Sequence, residues 1–380
     1  MKSDIGNFYD LLNGYYYSQK RELSYLNDSW TDLESWKTEA RRRLDELLSY
    51  DPPKAALSPK TVRVEDFGEY VREEIEFNTS ALTRIKASVL VPKNGEKQHP
   101  AVVAIHDHGG FYYYSREKIM ENTESSPILD EFKRREYDGY SWADELTKRG
   151  YLVLVIEGFY FGGRKLQYEA ISDEIKEAFG KPLKDLIKGS DEYISAFNKM
   201  CNTHESLLVK HILAAGATWP GILSHDDRAS VSYLFSRADV DSSRIACMGL
   251  SIGGFRSALL NATDSRIKCA VVAGWMTTMQ SLLFDHLRNH TFMVYIPGLV
   301  KYMELPDLVS LNAPNYLFVQ QCLHDALYTK EGMEEACNII QKVYSKAGCS
   351  NRFKYAFYEN PHRLTKTMQE EAFLWLAEHL

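Results

Sequence analysis

The sequence predicts an α/β fold in which helices cover both faces of a mostly parallel central sheet. Short apolar runs, each typical of a strand buried on both faces, alternate with segments of helical periodicity. A helix between two strands returns the chain to the end of the sheet where the first strand began, so this alternation indicates that neighbouring strands are parallel. The predicted strands are 101–105, 152–156, 245–248, 269–273, 316–319 and 353–357, and the predicted helices are 142–149, 228–235, 332–345 and 366–380.

Two other regions precede this alternation. Residues 5–50 have helical periodicity that stops at Pro52-Pro53, which predicts a helical N-terminal extension over residues 1–58. The α/β domain is then expected to span residues 59–380. It opens with alternating apolar residues that predict antiparallel strands, at 61–65, 69–77 and 85–91.

Two connections are longer than ordinary loops. Residues 165–215 are charged and of helical type, and residues 276–312 are rich in aromatic side chains. Connections of this length commonly form lids or binding loops. We therefore expect helical insertions at about 165–215 and 276–312 that form a lid.

Composition and charge exclude several partners. The 380 residues are 44% hydrophobic and 26% charged, and the net charge of −7 disfavours binding to polyanions. No apolar run reaches the roughly 18 residues that a membrane span needs, and the N-terminus lacks the apolar core of a signal peptide. We expect no nucleic-acid partner, no membrane partner and a cytoplasmic location, and a homo-oligomer stays open. The six cysteines lack Cys-x-x-Cys spacing, so no disulfide framework, zinc site or other cofactor is predicted.

The most informative motif follows the third buried run. Residues 244–254 read R-I-A-C-M-G-L-S-I-G-G, and the run of residues 255–262 that follows favours a helix. A strand, a G-x-S-x-G turn and a helix together make a nucleophile elbow, which holds its serine in a strained conformation. Gly249 and Gly253 leave space where a Cβ would collide across the turn. Ser251 is therefore the predicted nucleophile of a serine hydrolase.

A serine hydroxyl needs a general base, and that base needs an acid to orient it. In hydrolases with this elbow, the acid and then the histidine follow the serine along the chain. Asp325 comes just after the predicted strand 316–319, and His362 comes after the strand 353–357. We predict Asp325 as the orienting acid and His362 as the general base.

Alternatives stay open for these roles. Asp285 or Asp307 could replace the acid, and His324 could replace the base. The pair His106-x-His108 is similar to the metal-binding pair of barrel amidohydrolases, so a metalloenzyme is an alternative hypothesis. That hypothesis needs further metal ligands at later strand ends and leaves the elbow unexplained, so no metal is expected.

The tetrahedral intermediate of acyl transfer also needs hydrogen-bond donors for its oxyanion. One predicted donor is the backbone N–H of Ile252, which is free because it starts the elbow helix. The other is expected from the glycine-containing loop that follows the strand 101–105. The N–H of His108 is the first candidate there, and that of Gly109 is the second.

These motifs resemble those of α/β-hydrolases of the acetyl xylan esterase-like and dienelactone hydrolase-like branch. The resemblance covers about residues 60–380 and includes the H-x-H-G-G loop, the elbow, F-G-G-R at 161–164, and P-H before the last helix. It implies the α/β-hydrolase fold, a triad of Ser251, Asp325 and His362, and hydrolysis of a carboxylic ester through an acyl-enzyme. A small or acetylated substrate, such as an acetylated carbohydrate, is the expected substrate class.

One residue departs from that pattern, and two other activities stay open. Asp107 stands where the resemblance implies a glycine, so its carboxylate could repel an anionic substrate or bind a polar one. Arg164 is expected to bind Asp226 or Asp227 rather than substrate. A C–C bond hydrolase or a serine peptidase on the same fold is the alternative enzyme, and a non-catalytic binding module is the alternative outside enzymes.

Overall fold

A nine-stranded sheet forms the centre of the protein in a computed structural model that describes residues 3–124, 126–178 and 183–380. Each predicted run is a strand, and most strands extend one to five residues beyond the predicted bounds. The strands are β1 (Lys60–Asp66), β2 (Tyr70–Asn78), β3 (Arg84–Pro92), β4 (His99–Ile105), β5 (Leu152–Ile156), β6 (Val240–Leu250), β7 (Cys269–Ala273), β8 (Tyr316–Cys322) and β9 (Phe353–Tyr358).

The strand order is β1-β2-β3-β5-β4-β6-β7-β8-β9. The pairs β1–β2, β2–β3 and β3–β5 are antiparallel, and all pairs from β5 to β9 are parallel. Ala101 of β4 is in register with Leu152 on one side and Ile245 on the other. The carboxyl ends of six strands therefore meet at one edge, where ligands bind in sheets of this kind.

Helices cover both faces of the sheet, as predicted. They are α1 (Phe8–Tyr17), α2 (Leu33–Leu48), α3 (Pro127–Tyr137), α4 (Trp142–Lys148), α5 (Asp173–Ala178), α6 (Asp191–Ala214), α7 (Trp219–Phe235), α8 (Ile252–Thr263), α9 (Met279–Leu282), α10 (Leu305–Val309), α11 (Lys330–Lys346) and α12 (Lys366–His379). Successive strand residues point to opposite faces. The protein therefore has two cores, one on each face of the sheet. One core contains Val103 together with residues of α2, α7, α8 and α11, and the other contains Val102 together with residues of α3, α4 and α12.

Two helices differ from the prediction. The helix predicted at 228–235 begins earlier, at Trp219, because Thr218 caps it by accepting the Gly221 N–H at 3.0 Å. Helix α3 was not predicted. Its sequence is charged, but it buries Leu129, Phe132 and Tyr137 against the sheet.

The two insertions differ in structure. The first holds α5 and the long helix α6, and its residues 179–182 lie outside the described residues. The second holds α9, α10 and four short 3₁₀ turns. Among the described residues, no single helix has the length and apolar character of a membrane span; α6 and α7 pass that test only as a pair bent by 80°, on length and composition alone.

Candidate active site

A cavity of about 820 Å³ opens at the carboxyl edge of the parallel strands. All of the residues predicted for catalysis and for oxyanion binding lie in its wall. Those residues come from β4, β6, β8 and β9 or from the segments that follow these strands. They are His108, Gly109, Ser251, Ile252, Asp325 and His362.

Ser251 lies between β6 and α8 in a backbone conformation that non-glycine residues rarely adopt, with φ 61° and ψ −121°. Its N–H donates to the carbonyl oxygen of Ala273 at 2.9 Å, which fixes the turn to β7. A Cβ on Gly253 would lie 2.3 Å from the carbonyl oxygen of Ile105. Glycine at this position therefore allows the elbow to lie directly against β4.

His362 is hydrogen-bonded to Asp325. Its Nδ1 lies 2.5 Å from Oδ2 of Asp325, whose Oδ1 accepts the Leu327 N–H at 2.9 Å. Burial lowers the pKa of His362, but the hydrogen bond and charge of Asp325, together with Glu136 and Asp107, raise that pKa above its ordinary value. Because Nδ1 is occupied, Nε2 is the nitrogen left for proton transfer.

The imidazole of His362 lies beside the elbow. A Cβ on Gly274, at the end of β7, would be 3.2 Å from its Cε1 atom. Gly274 directly follows Ala273, which accepts the Ser251 N–H, and both Ser251 and His362 line the cavity. The structure therefore brings the predicted nucleophile and base to neighbouring positions on one wall.

The alternative residues have other partners. Asp285 is paired with His286, and the buried Asp307 accepts hydrogen bonds from Ser24 and from the Glu304 N–H. Nε2 of His324 lies 2.8 Å from the Glu359 carboxylate, although His324 also lines the cavity. Among the described residues, Asp325 is the acid that binds His362.

The loop after β4 supplies free backbone donors. The His108 ring fixes this loop, since its Nδ1 accepts the Gly110 N–H at 3.0 Å and its Nε2 lies 2.9 Å from Glu205. Within the described residues, neither the His108 nor the Gly109 backbone N–H donates a hydrogen bond. Ile252 begins α8, so its N–H also lacks a partner within the helix.

The two histidines of this loop do not form a metal pair. His106 is fully buried, with Nδ1 2.7 Å from the carbonyl oxygen of Asp107 and Nε2 2.9 Å from Oγ of Ser115. The described part of the chain contains no group of three or more His, Cys, Asp or Glu residues arranged to hold a metal. The alternative hypothesis of a metalloenzyme therefore has no set of metal ligands in the described part of the chain.

Asp107 does not line the cavity. Its buried carboxylate accepts a hydrogen bond from the Tyr137 hydroxyl at 2.5 Å, on the side of α3. The expectation that this carboxylate could bind a polar substrate was therefore wrong, whereas its charge reaches the site, because it helps to raise the pKa of His362. Arg164 binds Asp226 at 2.7 Å, which confirms the predicted link.

Glu205 is a site residue that the sequence did not indicate. It lies on α6, lines the cavity and accepts hydrogen bonds from the Tyr112 hydroxyl and the Thr291 hydroxyl, both at 2.8 Å, as well as contacting His108. Burial raises its pKa, but these hydrogen bonds outweigh burial and lower it. The available signal was a stripe of Asn198, Cys201 and Glu205 at helical spacing, which indicates a buried face but no partner.

The architecture is that of the α/β-hydrolase fold. No protein-family model matches the chain. The Bacillus subtilis protein named "Putative hydrolase YtaP" is 26% identical over 345 residues, which cover 90% of this chain and 100% of that protein.

Two solved structures extend the comparison. A "putative acetyl xylan esterase" from Bacteroides fragilis has a TM-score of 0.72 and 17% identity, and the match covers 94% of this chain and 84% of that one. A glucuronoyl esterase from Solibacter usitatus has a TM-score of 0.61 and 13% identity, with coverage of 94% and 97%. At these identities the similarity establishes the fold.

Proposed function

We propose that this protein is a serine hydrolase that cleaves carboxylic esters through an acyl-enzyme. The observation that carries the proposal is one cavity wall holding the strained Ser251, the hydrogen-bonded pair His362–Asp325 and free backbone N–H groups. The name of the Bacillus relative supports a hydrolase. The esterase names of the structural neighbours support an ester as the bond that is cleaved.

The mechanism follows from these groups. Oγ of Ser251 attacks the ester carbonyl carbon while Nε2 of His362 takes the hydroxyl proton. The N–H groups of Ile252 and His108, with Gly109 as a further donor, bind the oxyanion that forms. Collapse of this intermediate expels the alcohol, which receives the proton from His362. Water then attacks the acyl-enzyme by the same route and releases the carboxylic acid.

A small ester, such as an acetylated carbohydrate, is the proposed substrate class. The volume of about 820 Å³ is in the range of small-molecule sites. Aromatic rings of Trp275, Phe292 and Tyr328 line it together with the neutral amides of Asn202 and Asn289. Rings that cover a sugar face and amides that bind its hydroxyls suit a polar substrate.

The test is Ser251→Ala against the control Ser265→Ala, an exposed serine beyond α8. We expect Ser251→Ala to lose hydrolysis of p-nitrophenyl acetate and labelling by a fluorophosphonate, which intact protein mass detects. Circular dichroism checks that each variant is folded. Ser265→Ala should keep both. Ester hydrolysis that persists in folded Ser251→Ala would rule out this nucleophile. Wild-type activity on aminoacyl amides or β-diketones alone would show that the protein cleaves another type of bond.

A further inference from the structure

A lysine lies beneath the loop that follows β4 without a carboxylate bound to it. Lys118 belongs to a short 3₁₀ turn and is fully buried. Its Nζ donates to the carbonyl oxygens of Asp107 and His108, each at 2.9 Å, and lies 4.7 Å from the centre of the Phe161 ring. Within the described residues it forms no ion pair. A buried ammonium is costly to desolvate, and these contacts contribute to its stabilisation.

Both carbonyl groups belong to the peptide units that hold the candidate oxyanion donors. The C=O and N–H of a trans peptide point in opposite directions from one rigid plane. The Asp107 C=O shares a plane with the His108 N–H, and the His108 C=O shares a plane with the Gly109 N–H. Lys118 does not line the cavity, whereas His108 and Gly109 do. The ammonium therefore holds both planes from the side opposite the substrate.

We propose that Lys118 is a positioning residue of the oxyanion hole, whose ammonium orients and polarises the peptide units of His108 and Gly109 for the tetrahedral intermediate. This inference rests on the proposed serine-hydrolase function. The positive charge at each carbonyl oxygen also draws electron density from the N–H at the other end of the plane, which strengthens the donor. Lys118 touches no substrate and acts only through this loop.

Other contacts to the same carbonyl groups remain when Lys118 is changed. The Phe111 N–H donates to the His108 carbonyl at 3.0 Å, and Nδ1 of His106 contacts the Asp107 carbonyl. These contacts retain the path of the loop, so a substitution at Lys118 removes mainly the charge. The effect is therefore expected in the chemical step rather than in the fold.

The charge of Lys118 also gives a pH signature. Burial lowers its pKa to about 8, although Asp107, Glu136 and Glu117 act to raise it. The titratable groups whose charges interact with it are these three acids and the imidazole of His106, whose own pKa burial holds well below the ordinary range. Raising the pH through about 8 neutralises the ammonium, so kcat should fall on the alkaline side.

The experiment compares Lys118→Met with Lys133→Met. Lys133 is a matched control because it is buried on α3 and donates to the Met120 carbonyl and the Ser141 hydroxyl, away from the cavity. Each variant is assayed on p-nitrophenyl acetate over a pH series, with kcat and KM separated. We expect Lys118→Met to lose about a hundredfold in kcat, with little change in KM and no alkaline fall in kcat. Lys133→Met should keep both the wild-type kcat and the alkaline fall.

The outcomes separate this inference from the function on which it rests. Wild-type protein that hydrolyses no ester would contradict the proposed function, and this inference with it. An active wild type with an unchanged kcat in Lys118→Met, or with the same alkaline fall in that variant, would overturn the role of Lys118 alone. If Lys118→Met does not fold, a wild-type kcat that stays constant through about pH 8 would overturn it equally.

Discussion

Asp325 controls both the orientation and the charge of the proposed base. Its Oδ2 holds Nδ1 of His362, and its other oxygen is fixed by the Leu327 N–H. In Asp325→Asn, an amide group can favour the wrong imidazole tautomer, so we expect kcat to fall by about 10⁴-fold with the fold intact. Asp285→Asn, which changes an acid outside this pair, should keep wild-type kcat. Steady-state kinetics on p-nitrophenyl acetate measures both, and an active Asp325→Asn would remove Asp325 from the mechanism.

His362 also sets an acid limit to activity. A general base must be neutral, and the pKa of His362 is raised above its ordinary 6.5, since the hydrogen bond and charge of Asp325 and the nearby acids outweigh burial. As the pH falls through this raised pKa, the imidazole gains a proton and can no longer accept one from Ser251. We therefore expect kcat/KM to fall on the acid side with a midpoint above 6.5. A profile that stays flat down to this value would contradict the assignment.

The sequence indicated the residues of the proposed triad because each signal is local. Ser251 has its motif around it, and Asp325 and His362 directly follow strands whose ends must share an edge. The role proposed for Lys118 has no such signal, because a lysine in a loop between a strand and an unpredicted helix is ordinarily exposed. The position of Asp107 was misjudged for a related reason, since its partner Tyr137 lies on α3.

Glu205 connects three elements: the loop after β4, α6 of the first insertion and the second insertion at Thr291. Its carboxylate accepts hydrogen bonds from Thr291 and Tyr112 and contacts His108. In Glu205→Gln one oxygen becomes an NH₂ group that cannot accept, so a buried donor loses its partner. We expect the free energy of unfolding to fall by about 1–3 kcal/mol. Urea denaturation measures this change.

The same variant should also alter local opening. Hydrogen exchange in α6 and in residues 287–294 should accelerate in Glu205→Gln, because these elements share the lost contact. Glu192→Gln, at an exposed position on the first turn of α6, is the matched control and should exchange like wild type. Equal exchange in both variants would show that Glu205 does not hold the two insertions together.

Element types were predictable, whereas several boundaries were not. The strands β4 to β8 are buried on both faces at their centres, so apolar runs marked them. The prediction that 353–357 is also buried on both faces was wrong, because β9 is the edge strand and Tyr355 at its centre is 40% exposed. The start of β6 at Val240 was not predicted either, because polar residues follow it where its register with β4 is interrupted. The periodicity of residues 5–50 predicted the helical extension without showing how it packs. Arg41 shows the difficulty: in the basic run 41–43 it resembles a solvated side chain, yet it donates to the carbonyl oxygens of Ala262 and Leu311.

At the scale of the whole molecule, helix α2 of the N-terminal extension packs on the core, whereas Asp4 pairs with Arg288, a residue of the cavity wall. Trp36 of α2 is fully buried, and its indole N–H donates to the Leu23 carbonyl at 2.7 Å. Residues of the same core include Trp219 of α7 and Phe255 of α8, the helix that follows Ser251. None of the described residues 3–58 lines the cavity. Helix α2 therefore contributes to the stability of the α/β core.

This packing predicts a loss of stability without a loss of catalysis. Trp36→Ala removes a large side chain from a filled core, so the free energy of unfolding should fall by about 3–5 kcal/mol. In conditions where the variant stays folded, its kcat should equal that of wild type, because no cavity residue is changed. Leu11→Ala, which shortens a side chain that is 69% exposed on α1, is the control and should change neither quantity. A Trp36→Ala protein of wild-type stability would mean that α2 does not stabilise the core, and a folded variant with reduced kcat would mean that the extension acts on the site.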